Sequence, residues 1–153
     1  TSLSLDFIRE TLSEHGGVRL LDVGTGTGIL GMAAVLYGAE EVLGIDNDPE
    51  AVSAAEENVR RNSLQDHMQI SLTPLSSLDE PYEIVVANIV HDVLISMSDD
   101  LVRLTTDGGT LILSGLLTGE QVANIINVFT AKGCHLSGKD GRQEWSALRF
   151  LKG

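Results

Sequence analysis

The chain has 153 residues, 42% hydrophobic and 21% charged, with 10 Lys+Arg against 22 Asp+Glu for a net charge of −12. That length suits one domain able to fold without disulfides, and a single cysteine, Cys134, excludes an internal disulfide and any multi-cysteine zinc site. The acidity argues against sequence-independent nucleic-acid binding, which needs a cationic footprint, and leaves room for a basic partner such as a Lys-rich protein.

Leu5, Ile8 and Leu12 predict an opening helix that ends near Gly16-Gly17. Short β-type runs follow at 18–23, 41–46, 68–72, 83–88 and 110–114, several of them almost continuously apolar, as strands buried on both faces are. Helical spacing separates them. Ile29, Met32, Ala33 and Leu36 form one stripe, Val52, Ala55 and Val59 a weaker one. Val90, Val93, Leu94 and Met97 form a third, and Val122, Ile125, Ile126 and Phe129 a fourth. Asp48-Pro49 reads as a helix start, and Thr118 with Gln121 as a capping box. Two last strands, 134–139 and 143–151, are joined by a hairpin at Asp140-Gly141, so one of them runs antiparallel. The alternation predicts an α/β fold, a Rossmann-like doubly wound sheet of seven strands, mostly parallel with one antiparallel strand from the C-terminal hairpin. No apolar run approaches the ~20 residues that cross a bilayer. The first residues lack a signal-peptide pattern, and the expectation is a cytoplasmic protein with no membrane partner.

The strongest motif is Asp22-Val23-Gly24-Thr25-Gly26-Thr27-Gly28, lying between a strand and a helix. Three glycines in five residues let the backbone turn sharply and approach a nucleotide-like ligand. Gly26 to Gly31 also satisfies the dinucleotide pattern G-x-G-x-x-G, with Asp46 at about the expected distance. The register opposes that reading. The strand ends at Val23, the tight turn starts at Gly24, and Gly31 falls inside the helix, where it serves close packing. Asp22 also opposes it, because a carboxylate beneath the loop is a poor neighbour for a pyrophosphate. It suits an ammonium group or a role in holding the loop. Asp46 is placed to accept both ribose hydroxyls. Together these features favour S-adenosylmethionine over NAD and resemble the class I methyltransferases.

Asn88 closes the fourth strand in Val85-Val86-Ala87-Asn88-Ile89. Its amide either caps the helix that starts near His91 or presents its carbonyl to an amine beside the transferable methyl group. This segment, the glycine loop, Gly44-Ile45-Asp46-Asn47-Asp48-Pro49 and the late Glu144-Trp145 resemble the ribosomal protein L11 methyltransferase family. The opening Thr1-Ser2-Leu3 is similar to the end of that family's Phe-Gly-Thr-Gly-x-His-x-Thr-Thr-Ser-Leu stretch. The resemblance implies one S-adenosylmethionine-binding domain over 1–153, without the substrate-recognition domain that precedes it in the family. It also implies methyl transfer to lysine and N-terminal amines of a basic ribosomal protein; from charge and residue spacing, neither a metal nor direct nucleic-acid contact is expected. Thr1, Gly24, Asp46 and Asn88 match the family's cofactor-contacting positions. Asp22, Thr25, Gly26, Thr27, Gly28, Asn47 and Leu75 complete the candidate cofactor set, and Asn88 is the one candidate catalytic residue. Trp145 matches a family position too, although a buried strand tryptophan explains it equally well.

Three other readings stay open: a class I methyltransferase acting on a small molecule or nucleic acid, an NAD-binding oxidoreductase domain, and a non-catalytic cofactor-binding module. Residues 72–75, Leu-Thr-Pro-Leu, predict an apolar contact for adenine. His15, His67, His91 and His135 show no metal spacing, and His91 reads as an exposed helix start. Cys134 reads as a small buried hydrophobe, and Glu56-Glu57 and Asp99-Asp100 as solvated helix faces.

Overall fold

The computed structural model describes residues 2–153, so Thr1 lies outside the described residues. Seven strands form one sheet in the order β3-β2-β1-β4-β5-β7-β6. They are β1 (Arg19–Val23), β2 (Glu41–Ile45), β3 (Met68–Ser71), β4 (Tyr82–Asn88), β5 (Thr105–Leu117), β6 (Cys134–Arg142) and β7 (Trp145–Lys152). The first five pair in parallel, while β7 is antiparallel to both neighbours, β5 and β6. The order reverses between β1 and β4, which opens a crevice at the carboxyl ends of those strands.

Among the described residues five α-helices cover the sheet: α1 (Ser2–Glu14), α2 (Ile29–Leu36), α3 (Pro49–Arg61), α4 (His91–Arg103) and α5 (Glu120–Ala131). The period of two along each strand divides the core. Leu21, Val85, Ala87, Leu111 and Leu113 pack with Leu94 and Leu101 of α4 and with Val122, Ile125 and Phe129 of α5. Leu20, Ile84, Val86 and Ile112 pack with Leu3, Phe7, Ile8 and Leu12 of α1 and with Leu30 and Ala34 of α2. Each fully buried Leu or Phe contributes roughly 1.5–3 kcal/mol by leaving water. Among the described residues no helix is long and apolar enough to cross a membrane.

Several local expectations hold. Asp48 caps α3 by accepting the Glu50 amide at 3.0 Å, with Pro49 in the first turn. A Cβ at Gly31 would lie 2.5 Å from Met68 Cε and 3.1 Å from Val42 Cγ1, so this glycine serves close helix–sheet packing. Cys134 is buried, and burial pushes its thiol up from the usual value.

Others are corrected. The stripe in α2 is wrong, because the helix is apolar all round. Leu30, Gly31 and Ala34 face inward, while Ile29 and Leu36 (75% exposed) face out. In α4 the inward face is Leu94, Ser98 and Leu101, and Val90 is 63% exposed. The hairpin turns at Gln143-Glu144 rather than Asp140-Gly141, since Arg142 pairs with Trp145 and Gln143 takes a φ of 56°. Thr118 is no cap. Gly119 occupies that position, Gln121 reaches back to the Leu117 amide at 2.9 Å, and Thr118 bonds Ser146. Trp145 is not a buried tryptophan but is 46% exposed at the hairpin end. His91 does start α4, yet its ring is held between Asp92 and Asn124, both at 2.8 Å, and is largely covered. Glu56, Glu57 and Asp99 are exposed as expected, Glu57 paired with Arg61 and Asp99 with Lys132, whereas the half-buried Asp100 pairs with Arg103.

Candidate functional site

The glycine loop leaves β1 at Val23 and enters α2 at Gly28. Gly24, Gly26 and Gly28 have φ values of 72°, 57° and 89°, a region that side chains disfavour. The amides of Gly24 and Thr25 both donate to the Ile45 carbonyl at 2.9 Å, which lashes the loop to the end of β2. Thr25 also turns inward to donate its hydroxyl to Asp22 at 2.8 Å. Gly44 makes room for this, because a Cβ there would lie 2.7 Å from Thr25 Oγ1.

Asp22 is 1% exposed, beneath the loop rather than in the cleft. Burial pushes its carboxyl up from 3.8 to about 6, against the opposing hydrogen bonds from Thr25 and the Gly31 amide. Of its two expected roles, the geometry supports holding the loop. Asp46 stands at the rim, where it accepts the Gly26 amide at 2.9 Å on one oxygen and the Asp48 amide at 3.0 Å on the other. Each oxygen keeps one lone pair for a ligand donor.

A cleft of about 470 Å³ opens beside Asp46, within the usual range for small-molecule sites. Gly24, Asp46, Asn47 and Leu75 of the candidate set wall it, together with Leu72, Thr73 and Pro74. Its far wall is Ile89, Val93 and Met97, with Ser96 and Asp100. Ile89 and these α4 residues were not among the sequence candidates, although Val93 and Met97 belong to the apolar stripe, and Met97 also packs against the core. The surplus of apolar positions in α4 was the available signal. Asp22, Thr25, Gly26, Thr27 and Gly28 form the loop and its support rather than the wall. Thr27 is exposed, its carbonyl bound by Asn58 Nδ2 at 2.9 Å.

Asn88 is brought to the same strand edge but to the other face. It continues the alternation of Ile84 and Val86, which pack toward α1 and α2. Its Oδ1 accepts the Ser114 hydroxyl at 3.0 Å. It does not cap α4, whose cap position is Val90 without a side-chain bond.

The ribosomal protein L11 methyltransferase family model matches residues 1–153, the whole chain. A protein of Desulfotalea psychrophila named ribosomal protein L11 methyltransferase is 50% identical over 152 residues, 99% of this chain and 51% of that one. The chain spans about half the length of the curated relatives it matches. Among solved structures, a ribosomal protein L11 methylase from Lactobacillus delbrueckii subsp. bulgaricus superposes with a TM-score of 0.89 at 27% identity, covering 97% of this chain and 77% of that one. The magnesium protoporphyrin IX methyltransferase of Synechocystis, solved with bound S-adenosylmethionine, gives 0.80 at 18% identity over 98% of this chain and 78% of that one, a likeness of fold alone. With a glycine loop closing β1, an acid closing β2 and an asparagine closing β4 on a sheet finished by one antiparallel strand, the chain belongs to the ribosomal protein L11 methyltransferase family.

Proposed function

We propose that this chain is the catalytic domain of an S-adenosylmethionine-dependent methyltransferase that acts on lysine ε-amines and the N-terminal amine of a basic ribosomal protein. The observation that carries the reading is Asp46. Its carboxylate meets the glycine loop at the switch point of the sheet, with a lone pair free on each oxygen and an apolar cleft beside it. That donor set fits a ribose diol with an adenine against Leu72, Pro74 and Leu75, and a loop at Gly24 to Gly28 that tolerates a close ligand backbone. The buried carboxylate of Asp22 under the loop disfavours a dinucleotide pyrophosphate.

Bound S-adenosylmethionine supplies a methyl group already activated by its sulfonium. What remains for the protein is to hold a neutral amine in line, and positioning is worth much of the barrier. Asn88 is the residue for that task, since its carbonyl can accept an amine N–H without delivering a proton. A lysine has an ordinary pKa near 10.4, and burial against groups without charge favours its neutral form. The net charge of −12 suits a basic protein as acceptor.

Calorimetric titration tests the cofactor: S-adenosylmethionine and S-adenosylhomocysteine should bind and NAD should not, and tight NAD binding would overturn the assignment. Methyl transfer to a Lys-rich ribosomal protein tests the chemistry. Asn88→Ala should slow it by about 100-fold while cofactor affinity changes much less, because misplacement of ~1 Å can cost that much. Transfer at the parent rate would remove Asn88 from the mechanism.

A further inference from the structure

Asn88 can present its carbonyl or, rotated by half a turn about its last bond, its amino group. Only the carbonyl can accept an amine N–H. In the fold it is the carbonyl that meets the neighbouring hydroxyl. Ser114 Oγ donates to Asn88 Oδ1 at 3.0 Å, and Ser4 Oγ lies 2.5 Å from Ser114 Oγ. A hydroxyl has one proton. Ser114 spends its proton on Asn88, so Ser4 is the donor in the second bond. The chain of bonds therefore runs one way, from α1 through β5 to the end of β4.

Both serines are buried, Ser4 at 0% and Ser114 at 3% exposure, where an unpaired hydroxyl is costly and water offers no substitute partner. The backbone is shaped around the contact. The pairing of β5 with β7 shifts register between Leu113 and Leu116, an irregularity that surrounds Ser114 and Gly115. Gly115 has a φ of 82°, and a Cβ there would stand 3.1 Å from Asn88 Oδ1 and 3.1 Å from the Ile89 carbonyl. Ser114 also receives the Ile89 amide on its own carbonyl at 3.2 Å, which holds the strand end from a second side.

We infer that Ser114 and Ser4 are positioning residues that hold the Asn88 carbonyl in place at the end of β4, with its second lone pair left for the acceptor amine. This rests on the proposed role of Asn88. It makes the seating of α1 on β5 part of the acceptor site, although α1 touches no wall of the cleft.

The test measures single-turnover methyl transfer to a Lys-rich peptide by the 153-residue chain and follows the Asn88 side-chain amide by nitrogen-15 NMR. Its resonances are assigned by their loss in Asn88→Ala. Ser114→Ala should slow transfer about ten-fold with S-adenosylmethionine affinity kept within about two-fold, and should shift the Asn88 amide resonances. Ser114→Thr, which keeps the hydroxyl, should restore most of the rate. Ser4→Ala should give a smaller loss with a smaller shift in the same direction, and serves if Ser114→Ala does not fold. Unmoved Asn88 resonances in Ser114→Ala, or in Ser4→Ala where that variant stands in for it, overturn the inference, whatever rate the chain achieves. A slow Asn88→Ala beside a Ser114→Ala at parent rate also overturns it while sparing the role of Asn88. An Asn88→Ala at parent rate would instead remove that role, and this inference with it.

Discussion

Asp46→Ala removes the carboxylate that joins the glycine loop to the strand it leans on. In the folded chain that group accepts two backbone amides, Gly26 at 2.9 Å and Asp48 at 3.0 Å. Hydrogen bonds to a charged partner contribute about 1.5–3 kcal/mol each, and the half-buried setting of Asp46 argues for the lower end. With a ribose diol on the two remaining lone pairs, two more bonds of that kind are at stake. Their loss amounts to about 3 kcal/mol, or more than 100-fold in affinity. Asp46→Asn divides the effect: its oxygen can serve one amide and one hydroxyl, but its amino group then faces a backbone N–H, and about ten-fold is expected. Calorimetry with S-adenosylmethionine and S-adenosylhomocysteine reads the affinities, and melting without ligand separates loop damage from lost ligand contacts. If Asp46→Ala binds within two-fold of the parent, the ligand does not meet the end of β2 and the placement of the ribose is wrong.

The raised carboxyl of Asp22 gives a second expectation. The folded chain holds this proton up to about pH 6 and the unfolded chain only to about 3.8, so stability from this group falls as pH rises through that window, by about 3 kcal/mol. Urea unfolding at pH 4 and pH 7 should therefore show the parent losing ground to Asp22→Asn by roughly that amount, and parallel pH profiles would refute it. Gly44→Ala should drive a Cβ into Thr25, 2.7 Å from its Oγ1 and 3.0 Å from its Cβ, and loosen the grip of Thr25 on Asp22. A stability loss of about 1–3 kcal/mol is expected, with weaker S-adenosylmethionine binding. An unchanged melting temperature would mean that the loop yields freely.

The parts of this architecture that were legible in the sequence are those with a local cause. Continuous apolar runs named the strands, Asp48-Pro49 named a helix start, and three glycines after Val23 named the loop. The cleft was legible only on its β2 and β3 side. Its α4 wall stayed hidden because Val93 shares the spacing of Leu94, and composition cannot say which of two apolar faces meets the sheet. The same ambiguity defeated the stripe in α2, where every position is small or apolar. The hairpin was displaced because Asp140-Gly141 is good turn chemistry, yet strand pairing carries on to Arg142. The contacts of Asn88 were out of reach for another reason. Ser114 is 26 residues away and Ser4 a further 110 from Ser114, and only the register of the sheet brings them to one point.

The sheet is also a partition. The cleft beside Asp46 opens toward α4, while Asn88 and Ser114 sit on the face that α1 covers. The cleft and the buried serines behind Asn88 therefore stand on different sides of one wall. Substitutions on α1 or β5 can change the support of Asn88 without touching the cleft, and substitutions on β2, β3 or α4 can reshape the cleft without touching that support.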